Sequence, residues 1–354
     1  MNSTGVNNPT PLVSVIAVNY NCKRWLDRFF LSLRAQTIFD RVEIIMVDNT
    51  SEDGSAEICE KQMAAWPNGI FLATGGNYGF GGGNNRGANI ARGKYLFFLN
   101  PDVQLEPDCL EQLVRSAAAG ESKVACPLIL DYDNDNIQKQ GAAGFDIFGC
   151  MVSPRPHEHP DRLFAVATFF FINRDFFQKL GGFDEEFFLY NEEMDLSWRT
   201  WVAGEFVTLI RPARIHHQYA SDGERAVENR TTEMKRFYAN RNQLLTILKN
   251  AQGPLLLLAL TQTALITVEA IAGAILARRL SFIRRALLMP VADCWRLRGH
   301  VFQQRKYNRS FRRRSDWWIM RRFFRFGFGR WADVKRLLRF GVKIDRAWPN
   351  TIAK

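Results

Sequence analysis

The segment KYLFFLN, residues 94–100, decides the fold class. It contains an unbroken run of large apolar side chains, which Asn100 and Asp102 follow. A run that is apolar at every position is typical of a strand buried on both faces. Similar runs recur along the chain, and stretches of helical length and polarity separate them. This alternation predicts an α/β domain with a doubly wound, mostly parallel sheet. The predicted strands are VSVIAV (13–18), EIIMVD (43–48), GIFLAT (69–74), KYLFFLN (94–100), VACPLIL (124–130), AVATFFFI (165–172) and EFVTLI (205–210), and the predicted helices are 23–36, 53–65, 84–92 and 107–119.

The composition predicts one large domain at residues 12–250 and a helical tail at 251–354. The 354 residues are 47% hydrophobic, which is enough for a substantial core. The six cysteines are scattered without a CxxC pair, a pattern that favours neither zinc nor disulfides and fits a reducing compartment. The N-terminus lacks the basic and apolar regions of a secretory signal, so we expect the large domain on the cytosolic side.

Polar residues follow three predicted strands at their carboxyl ends, namely Asn19, Asp48 and Asn100. Ligands of open α/β sheets bind at that edge, so we expect these residues to surround one crevice. Asp102 follows a very apolar run, where a carboxylate is costly unless it is paired or bound to a cation. It is a candidate ligand for Mg²⁺ or Mn²⁺ that also holds a diphosphate. The alternative is an aspartate that caps the helix at 107–119.

The glycine-rich segment GGNYGFGGGNNRG, residues 75–87, follows the third predicted strand. A dinucleotide-binding fingerprint would follow the first strand, and the chain has no GKS or GKT sequence for a Walker loop. We predict a backbone path that passes close to a ligand, with a flexible surface loop as the alternative. Asn77, Asn84 and Asn85 can offer amide groups to that ligand, and Arg86 can offer a charge.

The strongest carboxylate cluster lies in GGFDEEFFLYNEEMDLSWR, residues 181–199, where a helix is predicted to begin near Asn191. Glu192, Asp195 and Arg199 share one helix face, and Glu193 is turned about 100° away. Bulky aromatic neighbours are expected to raise the proton affinity of these acids, which suits a general base. The alternative is an Asp195–Arg199 ion pair with the glutamates at a helix N-terminus.

Two adjacent histidines occur in RIHHQYASDG, at 216 and 217, in a chain that has only five. A lone histidine is usually structural, but an adjacent pair after a predicted strand is a candidate contact for a metal or a diphosphate.

The ordered set of these motifs resembles the inverting glycosyltransferases of family two, which have the A-type (GT-A) fold, and especially the rhamnosyltransferase-like branch. The resemblance covers about residues 12–248 and includes VDNTSEDGS (47–55), NYGFGGGNNRG (77–87), FFLNPDV (97–103), GGFDEEFFLYNEEMDLSWR (181–199) and FYANRNQLL (237–245). It implies that Asp102 is the metal carboxylate, His216 a metal or diphosphate ligand and Glu193 the catalytic base. It also implies a donor site. In that site the base and ribose would be held by Val18, Asn19 and Asp48, and the remaining nucleotide contacts would be made by Asn77, Gly79 and Asn85. We add Arg86 and Asn100 to this predicted donor site.

Two positions depart from the family pattern. The Asp-x-Asp motif of many relatives reads Asn100-Pro101-Asp102 here, which leaves one strong metal ligand. The usual Glu-Asp pair reads Glu192-Glu193, so Glu192 and Asp195 stay open as alternative bases.

The resemblance implies a single in-line displacement that inverts the anomeric carbon. The donor would be a nucleoside diphosphate sugar, with dTDP-rhamnose as a candidate, and the acceptor a lipid-linked or polysaccharide glycan. Two alternatives are a non-catalytic protein that binds sugar nucleotides or glycans and a processive polysaccharide synthase. The chain lacks the several spans and the Gln-x-x-Arg-Trp motif of such a synthase.

The predicted tail is strongly basic and begins with an apolar segment. The chain has a net charge of +11, and its positive excess lies after residue 277. Residues 254–277 have the length of a membrane span but contain Gln262 and Glu269. A span would carry the basic tail outside, against the positive-inside rule, so we favour an in-plane or re-entrant helix. Arginines then interleave with aromatic and aliphatic residues in FIRRALL (282–288), WWIMRRFFRFGFGRW (317–331) and VKRLLRFGVKI (334–344).

Basic amphipathic helices that carry tryptophan and phenylalanine suit an anionic membrane surface. We therefore predict a peripheral or monotopic protein on the cytoplasmic face of the cell membrane. A nucleic-acid-binding arm is disfavoured, because no recognisable nucleic-acid module accompanies the tail. A helical domain packed on the enzyme is the remaining alternative.

Overall fold

The computed structural model describes residues 10–120, 122–138, 140–155, 158, 161–218, 230–330 and 343–345. Eight strands form one sheet in the order β3-β2-β1-β4-β7-β6-β8-β5. Only β7 and β5 run antiparallel to their neighbours, so the predicted mostly parallel sheet is confirmed. The strands are β1 (Val13–Asn19), β2 (Val42–Asp48), β3 (Gly69–Ala73), β4 (Tyr95–Leu99), β5 (Val103–Leu105), β6 (Val124–Asp131), β7 (Phe170–Asn173) and β8 (Val207–His217).

The central strands are buried on both faces, as their unbroken apolar sequence predicts. Every residue of β1, β2 and β4 is buried. Side chains alternate between the faces, so Ile16 and Val18 belong to one hydrophobic core while Val15 and Ala17 belong to the other. Helices pack into both cores, so they cover both faces of the sheet.

Twelve helices are described, together with short 3-10 turns and a π-helical turn at Arg284–Leu288. They are α1 (Leu26–Arg34), α2 (Ser55–Ala64), α3 (Gly79–Ile90), α4 (Cys109–Ala118), α5 (Arg174–Leu180), α6 (Glu192–Val202), α7 (Glu233–Asn250), α8 (Leu257–Leu276), α9 (Ser281–Ile283), α10 (Met289–Arg296), α11 (Arg298–Phe311) and α12 (Asp316–Phe323).

The glycine-rich segment corrects one prediction, because most of it is helical. Helix α3 begins at Gly79, five residues before the predicted start at 84, so residues 79–83 do not form an open path around a ligand. A Cβ atom on Gly83 would lie 2.9 Å from Val18 Cγ2, and one on Gly87 would lie 3.0 Å from Val47 Cγ2. These glycines allow α3 to approach β1 and β2 more closely than any side chain permits.

The tail packs on the α/β domain over the part that the structure describes. Leu258, Phe311 and Phe323 belong to the same hydrophobic core as one face of the sheet. Two tail arginines stabilise helix C-termini. Arg305 donates to the carbonyl oxygens of Leu248 and Ala251 at 2.6 Å, and Arg314 donates to those of Trp201, Gly204 and Glu205 at 2.8–3.3 Å. Part of the positive charge of the tail therefore has an internal role. The predicted segment at 334–344 lies outside the described residues, except for its last two.

Candidate active site

A cavity of about 420 Å³ opens at the carboxyl ends of β1, β2 and β4. Its wall combines aromatic rings with amide and carboxylate groups. Of the residues predicted for the donor site, Val18, Asn77, Gly79, Asn100 and Asp102 line it. The cavity also exposes residues that the sequence analysis did not select: Tyr20, Trp25, Asn49, Phe80, Phe188 and Leu189.

Asn19 and Asp48 lie behind this cavity and do not line it. The Asn19 side chain is fully buried and donates to Asp48 Oδ1 at 2.7 Å. Asp48 Oδ2 accepts from the backbone N–H groups of Thr50 and Ser51 at 3.0 and 3.1 Å. Both residues therefore fix the turn after β2. That turn presents Asn49, whose amide donates to the Gly79 carbonyl oxygen at 2.9 Å.

Asn85 and Arg86 lie on the side of α3 that contacts the segment before α6. Asn85 donates to the Phe183 carbonyl oxygen at 2.8 Å and accepts from the Phe183 N–H at 2.9 Å. Arg86 pairs with Glu185 at 3.4 Å. Asn84 is buried and donates to the Phe80 carbonyl oxygen at 2.9 Å. These three side chains are not in the cavity wall, and the first two hold the acidic segment against α3.

Asp102 is the carboxylate of the cavity, and one of its oxygens lacks a partner. Asp102 Oδ1 is buried and has no hydrogen-bond partner, while Oδ2 lies 3.5 Å from His217 Nε2. The Nδ1 atom of His217 lies 3.1 Å from Gln138 Oε1, a contact that orients the imidazole ring.

The strand geometry places His217, and not the predicted His216, beside Asp102. Successive side chains of a strand point to opposite faces, so only one of the two histidines can face this carboxylate. His216 turns away and lies 3.4 Å from Glu106 Oε1 and 3.2 Å from Asp135 Oδ1. His217, and not His216, is therefore the histidine that could share a ligand with Asp102.

The donor atoms around Asp102 fit a divalent cation. Within the described residues, no group of three or more histidine, cysteine, aspartate or glutamate side chains forms a complete metal site. Mg²⁺ is usually held by one or two carboxylates together with phosphate oxygens and water. The unpartnered oxygen of Asp102 and the nearby imidazole of His217 would provide the protein part of such a site.

The loop before α6 forms the opposite wall of the cavity and has an unusual backbone. Phe188, Tyr190 and Asn191 have φ values of 60°, 69° and 69°, a region that bulky residues rarely adopt. The side-chain amide of Asn242 holds this loop, because its nitrogen lies 2.6–2.8 Å from the carbonyl oxygens of Phe187, Leu189 and Tyr190. Asn242 lies in the FYANRNQLL motif, but no local sequence pattern marks this role. Strained backbone that other contacts hold in place is common at functional sites.

Asp195 is a structural carboxylate in this arrangement. It is fully buried and lies 2.8 Å from Arg199 Nη2 and 3.0 Å from Lys249 Nζ, and it accepts from Asn250 at 2.7 Å. Burial would raise the pKa of Asp195, but the charges of Arg199 and Lys249 outweigh burial and hold it below its usual range. The ion pair considered from the sequence is therefore present. A paired, inaccessible carboxylate does not serve as a general base, which removes Asp195 from the candidates.

Glu192 and Glu193 begin α6 and differ in accessibility. Burial, together with the charges of Glu193 and Asp195, raises the pKa of Glu192 well above its usual range. Glu192 is buried, whereas Glu193 is half-buried. Burial raises the pKa of Glu193 to about 7, which suits proton transfer at neutral pH. Glu193 is not in the cavity wall, but it follows the loop that contributes Phe188 and Leu189 to that wall.

Replacing Gly79 by alanine is expected to disturb the contact between α3 and this loop. Gly79 has a φ of 69°, and a Cβ atom there would overlap the Phe188 carbonyl oxygen. We expect a loss of about 2 kcal/mol or more in the free energy of unfolding, together with weaker donor binding. Gly120→Ala is the matched control, because Gly120 has a φ of 76° and open space around it. Equal effects in denaturant unfolding would show that the Phe188 contact contributes nothing.

Comparisons with known proteins identify this domain. Residues 14–181 match the model of the glycosyl transferase family 2. The chain is 29% identical over 249 residues to an N-acetylglucosaminyl-diphospho-decaprenol L-rhamnosyltransferase of Mycobacterium tuberculosis, a match that covers 60% of this chain and 78% of that protein. It is 34% identical over 125 residues to the putative glycosyltransferase EpsH of Bacillus subtilis. That match covers 35% of this chain and only 36% of that protein.

Solved structures share the fold. A structure of GalNAc-T7 with UDP, GalNAc and Mn²⁺ aligns with a TM-score of 0.65 at 16% identity and covers 94% of this chain and 58% of that one. A structure of S. aureus TarS 1–349 with UDP aligns with a TM-score of 0.53 at 14% identity. The alignment covers 85% of this chain and 88% of that one. At these identities the likeness shows the fold alone, which is GT-A-like as predicted. Residues 14–181 therefore form a glycosyl transferase family 2 domain, and the chain is a glycosyltransferase.

Proposed function

We propose that this enzyme transfers a sugar from a nucleoside diphosphate donor to a lipid-linked or growing polysaccharide acceptor, with inversion at the anomeric carbon. The observation that carries the proposal is the cavity at the strand ends, which has the unpartnered oxygen of Asp102 in one wall and the loop leading to Glu193 in another. The mycobacterial relative is an L-rhamnosyltransferase by name, which supports rhamnose, carried by dTDP, as the first donor to test.

The cavity provides groups for each part of the donor. We assign the base and ribose to the part lined by Val18, Tyr20 and Asn49, where aromatic and amide groups can stack on and hydrogen-bond the nucleoside. Asn19 and Asp48 act on this part indirectly, through the turn that presents Asn49. The diphosphate would lie at Asp102, with Asn100 beside it.

Asp102 and His217 would hold Mg²⁺ or Mn²⁺ together with the diphosphate oxygens. When bound, the ion supplies positive charge that stabilises the departing nucleoside diphosphate. His217 keeps its imidazole in position through Gln138. We retain the family assignment of the metal carboxylate to Asp102 and transfer that of the histidine from 216 to 217.

Glu193 is the proposed general base. Its carboxylate would take the proton of the acceptor hydroxyl while that oxygen attacks the anomeric carbon from the face opposite the diphosphate. The bond between the anomeric carbon and the phosphate oxygen breaks in the same step, and the nucleoside diphosphate leaves with the electron pair. No covalent bond to the enzyme forms.

A second candidate function is a protein that binds sugar nucleotides without turnover. Asn100 favours it, because this position lacks the first carboxylate of the Asp-x-Asp motif.

The test is to incubate the full chain with UDP, dTDP and GDP sugars and Mn²⁺ or Mg²⁺, with and without a polyprenyl-diphosphate-linked N-acetylglucosamine acceptor. We expect one donor to release its nucleoside diphosphate faster when the acceptor is present. Donor binding without release under any condition would contradict transfer and support the binding protein.

Asp102→Asn is expected to lower metal-dependent release by roughly 100-fold or more, because it removes the negative charge that would attract the cation. Asp175→Asn is the control, since the Asp175 side chain is 86% exposed and is not in the cavity wall. Release by Asp102→Asn at the rate of the control would exclude Asp102 as the metal ligand.

A further inference from the structure

Helix α8 exposes an apolar face to solvent along its whole length. Residues 257, 260, 264, 268, 271 and 275 recur every three or four positions, are all exposed, and are all leucine, alanine, valine or isoleucine. The exposed fraction is 62% for Leu257, 69% for Leu260, 65% for Val268 and 70% for Ile275. A surface helix of a water-soluble domain carries polar residues on this side. The outward face of α8 is therefore suited to an apolar medium.

The polar groups of α8 face the protein instead. Gln262 is fully buried and lies 3.5 Å from Cys150 Sγ. Thr261 donates to the Ile147 carbonyl oxygen at 2.6 Å, and Glu269 pairs with Arg330 at 3.4 Å. Gln262, through its Oε1 atom, and Glu269, through its ion pair, thus contact the protein, although their presence argued from the sequence against a membrane span.

The catalytic domain and neighbouring helices cover the inward face of α8 from one end to the other. Leu258 packs in the core of the domain, Ile266 against α7, and Ala274 against Phe282. The helix is long and apolar enough to cross a membrane. An isolated span would be surrounded by lipid on every side, whereas this helix has lipid-compatible residues on one side only.

The following helices also expose large apolar side chains, and they add positive charge. Their exposed large apolar side chains are Leu280, Leu288, Val291, Trp295, Phe302 and Trp317. Arg278, Arg284, Arg321 and Arg322 are also exposed, and none of them forms an ion pair with an acidic residue in the part of the chain that the structure describes. Interleaved arginine and tryptophan are typical of helices that lie in the headgroup region of a membrane.

We propose that these residues form a membrane-docking surface, which comprises the outward face of α8 and the exposed apolar and arginine residues from 278 to 322. Helix α8 would lie in the plane of the leaflet with its outward face among the acyl chains, and the arginines would contact anionic phospholipid headgroups. A second copy of the chain fits this surface less well, because pairing it with itself would bring unpaired arginines together. The inference rests on the proposed function only in that a lipid-linked acceptor lies at the same membrane.

The test is flotation of the full chain with vesicles of phosphatidylcholine, with and without phosphatidylglycerol. We expect binding that requires phosphatidylglycerol and falls as salt rises. Leu260→Glu combined with Ile271→Glu should lower the partition coefficient roughly ten-fold or more, because it places charge among the acyl chains. Arg321→Glu with Arg322→Glu should lower binding to anionic vesicles by a similar factor.

Leu31→Glu is the matched control, because Leu31 on α1 is 70% exposed, close to the 69% of Leu260. Circular dichroism would check that each variant is folded. The proposal would be overturned if both double variants floated to the same extent as the control. It would also be overturned if the unaltered chain did not float but formed a dimer, and if Leu260→Glu with Ile271→Glu dissociated that dimer.

Flotation requires neither donor nor acceptor, so the two proposals fail separately. A chain that floats without turnover contradicts only sugar transfer. A chain that turns over donor but does not float contradicts only the docking surface.

Discussion

Replacing Glu193 by glutamine is expected to lower turnover by roughly 10²–10⁴-fold and to leave donor affinity close to that of the unaltered chain. Glutamine keeps the size of the side chain but cannot accept the proton of the acceptor hydroxyl. Glu193 is outside the wall of the donor cavity, so the nucleoside diphosphate should bind as before. Steady-state turnover at saturating donor and calorimetric titration with the nucleoside diphosphate measure the two quantities separately.

The pH dependence gives the same prediction a second measurement. Burial raises the pKa of Glu193 to about 7, and the base must be deprotonated to act. Turnover should therefore rise through pH 7, where it is half-maximal, and level off about one pH unit higher, and the residual turnover of Glu193→Gln should lack this rise. Glu111→Gln, on helix α4 and outside the cavity wall, is the control for the chemical change. Near-normal turnover in Glu193→Gln would exclude this base, and loss of donor binding would indicate a positioning role.

The central strands could be predicted from the sequence because burial on both faces requires an apolar side chain at every position. Strands β1, β2 and β4 begin and end within one residue of the predicted runs. Helix α3 could not be placed in the same way. Glycine has a low helix propensity, so its first turns read as a loop, and only their close packing against β1 and β2 makes them helical.

The residues of the site could be predicted as types but not as positions. The sequence selected a histidine pair, yet only the register of β8 beside β5 decides that His217 faces Asp102. Asn85 contacts Phe183, which is 98 residues away, and Asn242 contacts Tyr190, which is 52 residues away. Contacts of such sequence separation leave no local pattern, because they depend on how the helices pack.

Lys249 is the residue with the largest expected effect on stability, and nothing in its sequence context marks it. Its ammonium group is buried between Asp184 and Asp195, with Asp195 Oδ1 at 3.0 Å. His300 of the tail lies 2.8 Å from Asp184 Oδ2. Burial would raise the pKa of Asp184, but Lys249 and His300 outweigh burial and hold it well below its usual range. This network connects α6, α7 and the tail helix α11.

Lys249→Met is expected to lower the free energy of unfolding by about 3–5 kcal/mol at neutral pH, because it leaves two buried carboxylates short of their shared cation. Both aspartates have a lowered pKa, so their stabilisation is present above the ordinary aspartate pKa of about 4 and is lost as pH falls below it. The difference between Lys249→Met and the unaltered chain should therefore be largest near pH 7 and shrink as pH falls through about 4. Urea unfolding at several pH values measures it, with Lys306→Met, an exposed lysine of α11, as the control. A difference that does not change with pH would mean that lost packing, and not lost charge, destabilises the variant.

Because Asp195 belongs to the helix that begins with Glu192 and Glu193, loss of the network should also displace the proposed base, so turnover should fall together with stability.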